Sequence, residues 1–394
     1  MRPPSVVPTF ETVARVAPIL RGLLARPTGD DDHPYQPAVL SSHTDPEALA
    51  FAATCQHPPP SLENLRSAPL QLKPLRGDET DDELRTLLAA ALTDHKAEHH
   101  ANPEIISLPD VAVFQVVNPA PKPGHDPRLA GRVAFVTGAA GAIGYGVCKG
   151  LLEDGCHVAI TDLPGEKLDQ FVAEFQERDA ARTVGVPMDV TDPASVARAF
   201  AQVIAHWGGV DIVVLNAGIA LACPLIEINL EALRRLERVN VEGTLLVLAE
   251  AGRQFARQNL GGDVVLISTK NVFAPGAGFG AYSATKAAAH QLARIASLEF
   301  APLGVRVNMV APDAVFSGGT HKSGLWAEVG PGRMKARGLD EKGLEDYYRN
   351  RNLLKAKVTA DHVANAVLFF VLRQTPTTGA CIPVDGGLPD ATPR

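Results

Sequence analysis

From residue 133 to the C-terminus, short apolar runs alternate with longer stretches of helical period. The runs 133–137, 158–162, 183–189, 212–216, 264–269, 305–310 and 381–384 are rich in Val and Ile. Near-continuous apolar runs of that length predict strands buried on both faces. The helical stretches between most of them predict right-handed crossovers and therefore a parallel sheet with helices on each side. The expected fold is α/β, a Rossmann-type doubly wound parallel sheet of seven strands. Upstream, Val13, Val16, Ala17, Leu20, Leu23 and Leu24 recur at helical spacing. Asp45-Pro46 offers a cap and a first-turn proline for a second helix, and residues 81–101 predict a third. Pro58-Pro59-Pro60 and Asp30-Asp31-Asp32 read as loops between them. The N-terminal part is thus expected to be a small, mainly helical extension.

Composition sharpens the seam between the two parts. Residues 1–125 hold 18 of the 31 prolines and carry 16 Asp/Glu against 10 Lys/Arg, so most of the chain's net charge of −7 lies there. Pro119-Ala-Pro-Lys-Pro123 reads as a stiff linker. The expected division is residues 1–118, a linker at 119–129, and a sheet domain at 130–394. At 46% hydrophobic residues the chain has enough apolar surface for a large core. Its mild acidity gives no field that would attract nucleic acid or an anionic membrane, and no apolar run approaches the ~18 residues that span a bilayer. Residues 1–30 lack a secretory apolar core. Cys55, Cys148, Cys156, Cys223 and Cys381 are widely spaced with no C-x-x-C, the pattern of a reduced compartment, so a cytoplasmic protein is expected. His95 and His99 stand at i and i+4, a zinc-compatible spacing, but Lys96 interrupts the cluster and further ligands are not evident. A solvated helix face and no metal are expected.

The chemistry concentrates at the strand ends. The first sheet strand runs into Thr137-Gly-Ala-Ala-Gly-Ala-Ile-Gly144, followed by a helical stretch. Gly138, Gly141 and Gly144 allow a tight turn and close approach of a pyrophosphate, which the helix N-terminus then receives. Asp162 ends the second strand, where a carboxylate accepts ribose hydroxyls and repels a 2′-phosphate. Ala139 and Ala140 bring no cation to reverse this, so NAD is expected over NADP. Further on, Tyr282 and Lys286 stand one helical turn apart. An ammonium beside a phenol favours the phenolate, and such a pair moves a proton to or from an alcohol oxygen.

This combination resembles the short-chain dehydrogenase/reductase family over residues 130–394. The loop containing Gly138, Gly141, Ile143 and Gly144 matches its cofactor loop. Asp189-Val190 matches the strand end that contacts adenine, and Asn216-Ala217-Gly218 the motif ending strand four. Asn240 matches the asparagine supporting a proton-relay water, Tyr282 and Lys286 the catalytic pair, and Pro383-Val-Asp-Gly-Gly387 the last strand and turn. The resemblance implies that the helices around 230–258 and 281–300 form a dimer interface, so a homodimer or homotetramer is expected. Three positions depart from the pattern. The family's serine, thirteen residues before the tyrosine, is Thr269 here; Ala142 replaces a glycine; and Asp313 follows Pro312 where glycine is usual.

Lys270-Asn271, Pro312-Asp313-Ala314-Val315 and residues 345–354 further resemble the dehydrogenase half of two-domain aldolase/short-chain dehydrogenases that handle rhamnulose 1-phosphate and lactaldehyde. Residues 16–24 and 49–75 are similar to the tail of the aldolase half. That half builds its metal site mostly from histidines upstream of this region, so no aldolase activity is expected. Residues 313–357 carry nine Lys/Arg against six Asp/Glu, with Trp326, Tyr347 and Tyr348, and read as a substrate lid for a small polar molecule. The function expected is NAD-linked oxidation and reduction of a secondary alcohol or hydroxy-aldehyde on a small polyhydroxylated substrate. Two alternatives stay open: a nucleotide-sugar epimerase or dehydratase, which the glycine spacing supports, and a non-catalytic NAD-binding scaffold, which Thr269 supports.

Overall fold

Helix α1 (Thr9–Leu24) opens the described chain and turns its Val13, Val16, Ala17 and Leu20 stripe fully inward. The structure, a computed structural model, describes residues 9–62, 67–117 and 128–391. Strands β1 (Arg26–Pro27) and β2 (Tyr35–Gln36) form a short antiparallel ribbon. They are followed by β3 (Val39–His43) and α2 (Pro46–Thr54). Asp45 caps α2 by accepting from Ala48 N at 2.9 Å, with Pro46 in its first turn. After β4 (Leu70–Gln71), α3 (Asp81–His99) starts from a capping box in which Thr80 and Glu83 satisfy each other's amides. Strands β5 (Ile105–Leu108) and β6 (Ala112–Val117) pair as a hairpin whose turn puts Asp110 at φ 62°.

The three expected helices are present. Beside them the structure shows a four-stranded sheet, in the order β3-β6-β5-β4, that helical periodicity did not predict. His95 is a second difference. It is buried rather than solvated, 4.4 Å ring to ring from His99, and burial lowers its pKa. The Pro-rich linker expected at 119–129 lies largely outside the described residues.

From residue 133 strands and helices alternate as β7 (Val133–Thr137), α4 (Ala142–Glu153), β8 (His157–Asp162), α5 (Glu166–Asp179), β9 (Thr183–Pro187), α6 (Pro193–Trp207) and β10 (Ile212–Leu215). Helices α7 (Leu230–Glu237) and α8 (Gly243–Gln258) are joined by a π-helical turn at Arg238–Glu242. Then come β11 (Gly262–Ile267), α9 (Gly280–Glu299) and β12 (Val305–Pro312). A small hairpin of β13 (Ser317–Gly318) and β14 (His321–Lys322) leads to α10 (Gly324–Arg337) and α11 (Glu341–Asn350). Helix α12 (Ala360–Val371) and β15 (Cys381–Val384) end the fold.

The seven long strands form one parallel sheet in the order β15-β12-β11-β10-β7-β8-β9. Chain direction across the sheet reverses between β7 and β10, and a doubly wound sheet opens its ligand crevice at such a point. Alternate residues of each strand feed two cores. Ala134, Val136, Val158 and Ile160 join α4, α5 and α12, while Val133, Phe135, Val213 and Val264 join α6, α8 and α9.

The N-terminal part packs into the second of these cores. Helix α1 lies on α6 and α8, so close that a Cβ at Gly22 would sit 2.1 Å from the Gln258 carbonyl oxygen. Its Arg21, fully buried, donates from Nη2 to Asp211 Oδ2 at 2.6 Å and to the Gly131 carbonyl at 3.0 Å. Asp211 in turn accepts from Val133 N at 2.7 Å, so one ion pair ties α1 to the start of the central strand. A second tie runs through Asp32. It takes Arg306 Nη2 on its carboxylate at 2.6 Å and Arg373 Nη1 on its carbonyl at 3.0 Å.

Candidate active site

At the switch point the end of β7 is held by Thr137. Its hydroxyl accepts from Asn216 N and Ala217 N, each at 3.0 Å, and so locks the ends of β7 and β10 together. Asn216 completes the clamp, donating from Nδ2 to the Thr137 carbonyl at 3.1 Å and the Gly138 carbonyl at 2.7 Å. Gly138 has φ +58°, and a Cβ on it would come within 2.6 Å of Ala217 Cα, so no other residue fits without moving the backbone. Gly144 passes equally close to Ala139, 2.2 Å from Cβ to carbonyl oxygen. Gly141 differs. It caps α4 without a side-chain bond, and its nearest neighbour is the Gly138 oxygen at 3.8 Å. The first-turn amides of α4 therefore face open space beside the loop, the arrangement that receives an anion.

A cavity of about 1170 Å³ runs along this edge, lined by Gly138, Gly141, Ile143, Asp162, Asp189, Val190 and Asn216 to Gly218. Asp162 accepts from Ala140 N at 2.9 Å and Leu163 N at 2.8 Å, which fixes its carboxylate at the rim. Asp189 is tied into its own turn, accepting from Thr191 N and Thr191 Oγ1, each at 2.8 Å. The glycine cradle, the uncapped helix end and the rim carboxylate together fit a dinucleotide. Lys167, Arg234, Arg235 and Arg238 also line this cavity. The sequence reading missed them, since nothing in the chain ties Lys167 of α5 to the arginines at 234–238 or places either group beside the glycine loop.

A second, smaller cavity of about 150 Å³ shares Ile143, Asn216 and Gly218 with the first and reaches Thr269, Tyr282 and Lys286. Thr269 lies two residues past the end of β11, and its hydroxyl accepts from Asn271 N at 3.3 Å. The neighbouring Ser268 points elsewhere, to His290 Nδ1 at 3.0 Å. Lys286 donates to the Ile267 carbonyl at 2.7 Å, leaving two of its three donors uncommitted among the described residues. Asn240 sits in the π-helical turn, a distortion that recurs at functional sites. Its amide donates to the Ile219 carbonyl at 2.9 Å and Thr285 Oγ1 at 3.0 Å, and its oxygen accepts from Ile219 N at 2.9 Å. Asn240 Oδ1 and Lys286 Nζ both face Gly218, 3.2 and 3.8 Å from where its Cβ would be.

The electrostatics of the pair differ from the expectation that Lys286 lowers the tyrosine. Burial pushes the Tyr282 phenol up to about 12, and only the facing Thr269 hydroxyl draws it down. Burial also pushes Lys286 down to about 8. Burial thus sets the direction of both shifts, upward for the phenol and downward for the ammonium. Asp313, one of the three departures from the family pattern, lies on the same cavity. It forms an ion pair with Arg351, which donates from Nε to Oδ2 at 3.2 Å and from Nη2 to Oδ1, so its carboxylate is already matched.

Residues 132–328 match the sequence family described as short chain dehydrogenase. An uncharacterized oxidoreductase of Bacillus subtilis (strain 168), YuxG, is 37% identical over 265 residues, which are 67% of this chain and 38% of that one. The chain thus spans well under half the length of that relative. The L-2,3-butanediol dehydrogenase of Corynebacterium glutamicum is 33% identical over 65% of this chain and 98% of its own length. Among solved structures, the sorbitol-6-phosphate 2-dehydrogenase SrlD of Erwinia amylovora superposes with a TM-score of 0.60 at 27% identity, covering 64% of this chain and 98% of that one.

Proposed function

The chain belongs to the short-chain dehydrogenase family, and from that premise we propose that it is an NAD-dependent oxidoreductase. Its substrate would be a secondary alcohol, carbonyl or hydroxy-aldehyde of a small polyhydroxylated molecule. The observation that carries this reading is the continuity of the two cavities. One wall has the glycine cradle, and the other presents Thr269, Tyr282 and Lys286 around a common space. The dinucleotide, when bound, supplies the nicotinamide that takes or gives the hydride. Tyr282 transfers the proton at the substrate oxygen. Thr269 hydrogen-bonds the same oxygen and stabilises the charge that develops there. Lys286, anchored on the Ile267 carbonyl, directs its remaining donors to the ribose, and Asn240 supports a proton path from Lys286 to solvent. The match to short chain dehydrogenases and the dehydrogenase names of the relatives favour this reading over an epimerase. A screen of polyols, sugar acids and hydroxy-aldehydes with NAD, read as NADH absorbance, tests it; no turnover with any of them would count against it.

Asp162 supports the choice of NAD. We expect NAD to bind roughly tenfold tighter than NADP or better, because the carboxylate would face a 2′-phosphate at short range. Asp162→Ala should narrow the gap, and equal affinities for the two nucleotides in wild-type titrations would refute the assignment.

We also propose the division into residues 1–118 and 130–394, with the first part derived from the tail of an aldolase half. The much greater length of the Bacillus relative supports a two-domain ancestry. Leu245 of α8 with Ile295 and Leu298 of α9 expose apolar surface on adjacent helices, which supports assembly through this face as a homodimer or homotetramer. Light scattering at micromolar concentration should report at least a dimer.

A further inference from the structure

The wall of the smaller cavity opposite the dinucleotide cradle carries more positive charge than the protein neutralises. Lys270, Arg333 and Arg351 line it, against the single acid Asp313. Arg351 is spoken for by Asp313 and by the Tyr348 ring, 4.2 Å beneath its guanidinium. Lys270 and Arg333 are not. Among the described residues Lys270 Nζ has only the Ala274 carbonyl, at 2.9 Å. Arg333 reaches the Ala277 carbonyl at 3.3 Å and the Tyr348 hydroxyl at 3.4 Å, both long contacts, and its buried Nε has no partner. It lies 4.7 Å over the Phe279 ring, which holds the guanidinium at the cavity wall. Burial lowers the pKa of Lys270, and Arg351 and Arg333 add repulsion; Asp313 and the exposed Asp390 offset this only in part. Half-buried cations without counter-charge are costly, and a partner from outside the chain relieves that cost. The position is informative as well, because Lys270 directly follows Thr269 in the chain. Lys270, Thr269 and Tyr282 line the same cavity of about 150 Å³, so a group bound by Lys270 shares that small space with the oxygen that Thr269 and Tyr282 address.

We propose that the substrate carries an oxyanion, a carboxylate or a phosphate, that Lys270 and Arg333 bind at one end while Thr269 and Tyr282 engage its hydroxyl or carbonyl. This inference rests on the oxidoreductase reading for its position, but not for its binding chemistry. Arg333 supplies a planar fork suited to two oxygens, Lys270 a point charge. Arg333 belongs to α10, so anion binding would also draw the lid toward the 274–279 loop that both cations already touch.

The test uses the full chain, with sorbitol 6-phosphate, gluconate and neutral sorbitol as probes. Turnover is measured with NAD, and calorimetric binding is measured in parallel with NADH present. Wild type should prefer at least one anionic probe, in kcat/KM or in affinity, by roughly 10- to 100-fold over sorbitol, the range expected for charge-assisted bonds. Lys270→Gln and Arg333→Gln should each remove most of that preference, while Glu341→Gln on the exposed lid surface should not. Preference for sorbitol 6-phosphate alone identifies a phosphate site and for gluconate alone a carboxylate site; either upholds the proposal. Anion binding that depends on Lys270, with no turnover of any probe, would uphold the anion site while the dehydrogenase reading fails. Sorbitol turned over as well as both anions, a preference untouched in both variants, or no anion binding at millimolar concentration would overturn it.

Discussion

Tyr282→Phe should lower kcat by on the order of 10³-fold or more, since a positioned general acid contributes up to about 10⁴-fold. Thr269→Val, nearly isosteric, tests the oxygen rather than the shape. It should cost on the order of 10²-fold in kcat, the effect of losing one donor to a developing oxyanion. Nucleotide binding should survive both changes, because the cradle is built from Thr137, the glycine loop and Asn216 instead. Thr269→Ser should retain activity, or raise it if the extra methyl crowds the substrate. Wild-type rates in both Tyr282→Phe and Thr269→Val on a confirmed substrate would place the chemistry elsewhere. Tight nucleotide binding with no substrate at all would revive the scaffold alternative.

Arg21→Met should destabilise the fold by about 3–5 kcal/mol, measured by urea unfolding, because it strips the partner from a buried carboxylate. Asp211 is only 2% exposed in its side chain and would keep the Val133 amide but no cation. Arg15→Met, which breaks the half-exposed pair with Asp81, gives the contrast and should cost less than about 1 kcal/mol. If Arg21→Met costs no more than Arg15→Met, α1 is an appendage on the sheet domain and not part of its core.

The seven sheet strands were legible because burial on both faces forces apolar residues at every position, a signal that needs no register. Their ends were less so. The run 183–189 stops pairing at Pro187, and 264–269 begins two residues earlier, at Gly262, and ends at Ile267. Hydrophobicity does not say where the hydrogen-bond ladder stops: Ser268 N still donates to the Val310 carbonyl at 2.8 Å, and the extended Thr269 lies beyond it. The N-terminal sheet was missed for a related reason. Ile105–Leu108 and Ala112–Val117 are short apolar runs around a Pro-Asp turn, but the helix signals on either side dominate the same region. At the site, Thr269, Tyr282 and Lys286 were readable because fixed spacings carry them. Arg333 and Arg351 were not, since Arg351 meets Asp313 across 38 residues and Arg333 lies on a helix interrupted by Pro331.

The seat of α1 also has a consequence in time. The helix is made early, yet the partner of Arg21 lies 190 residues further on. At roughly 5–20 residues per second, synthesis of that interval takes about 10–40 s. Throughout it the stripe of Val13, Val16, Ala17 and Leu20 lacks its α6 and α8 seat and has α3 and β3 to pack on. The nascent chain therefore carries this amphipathic helix partly unseated until α6 and α8 emerge to receive it.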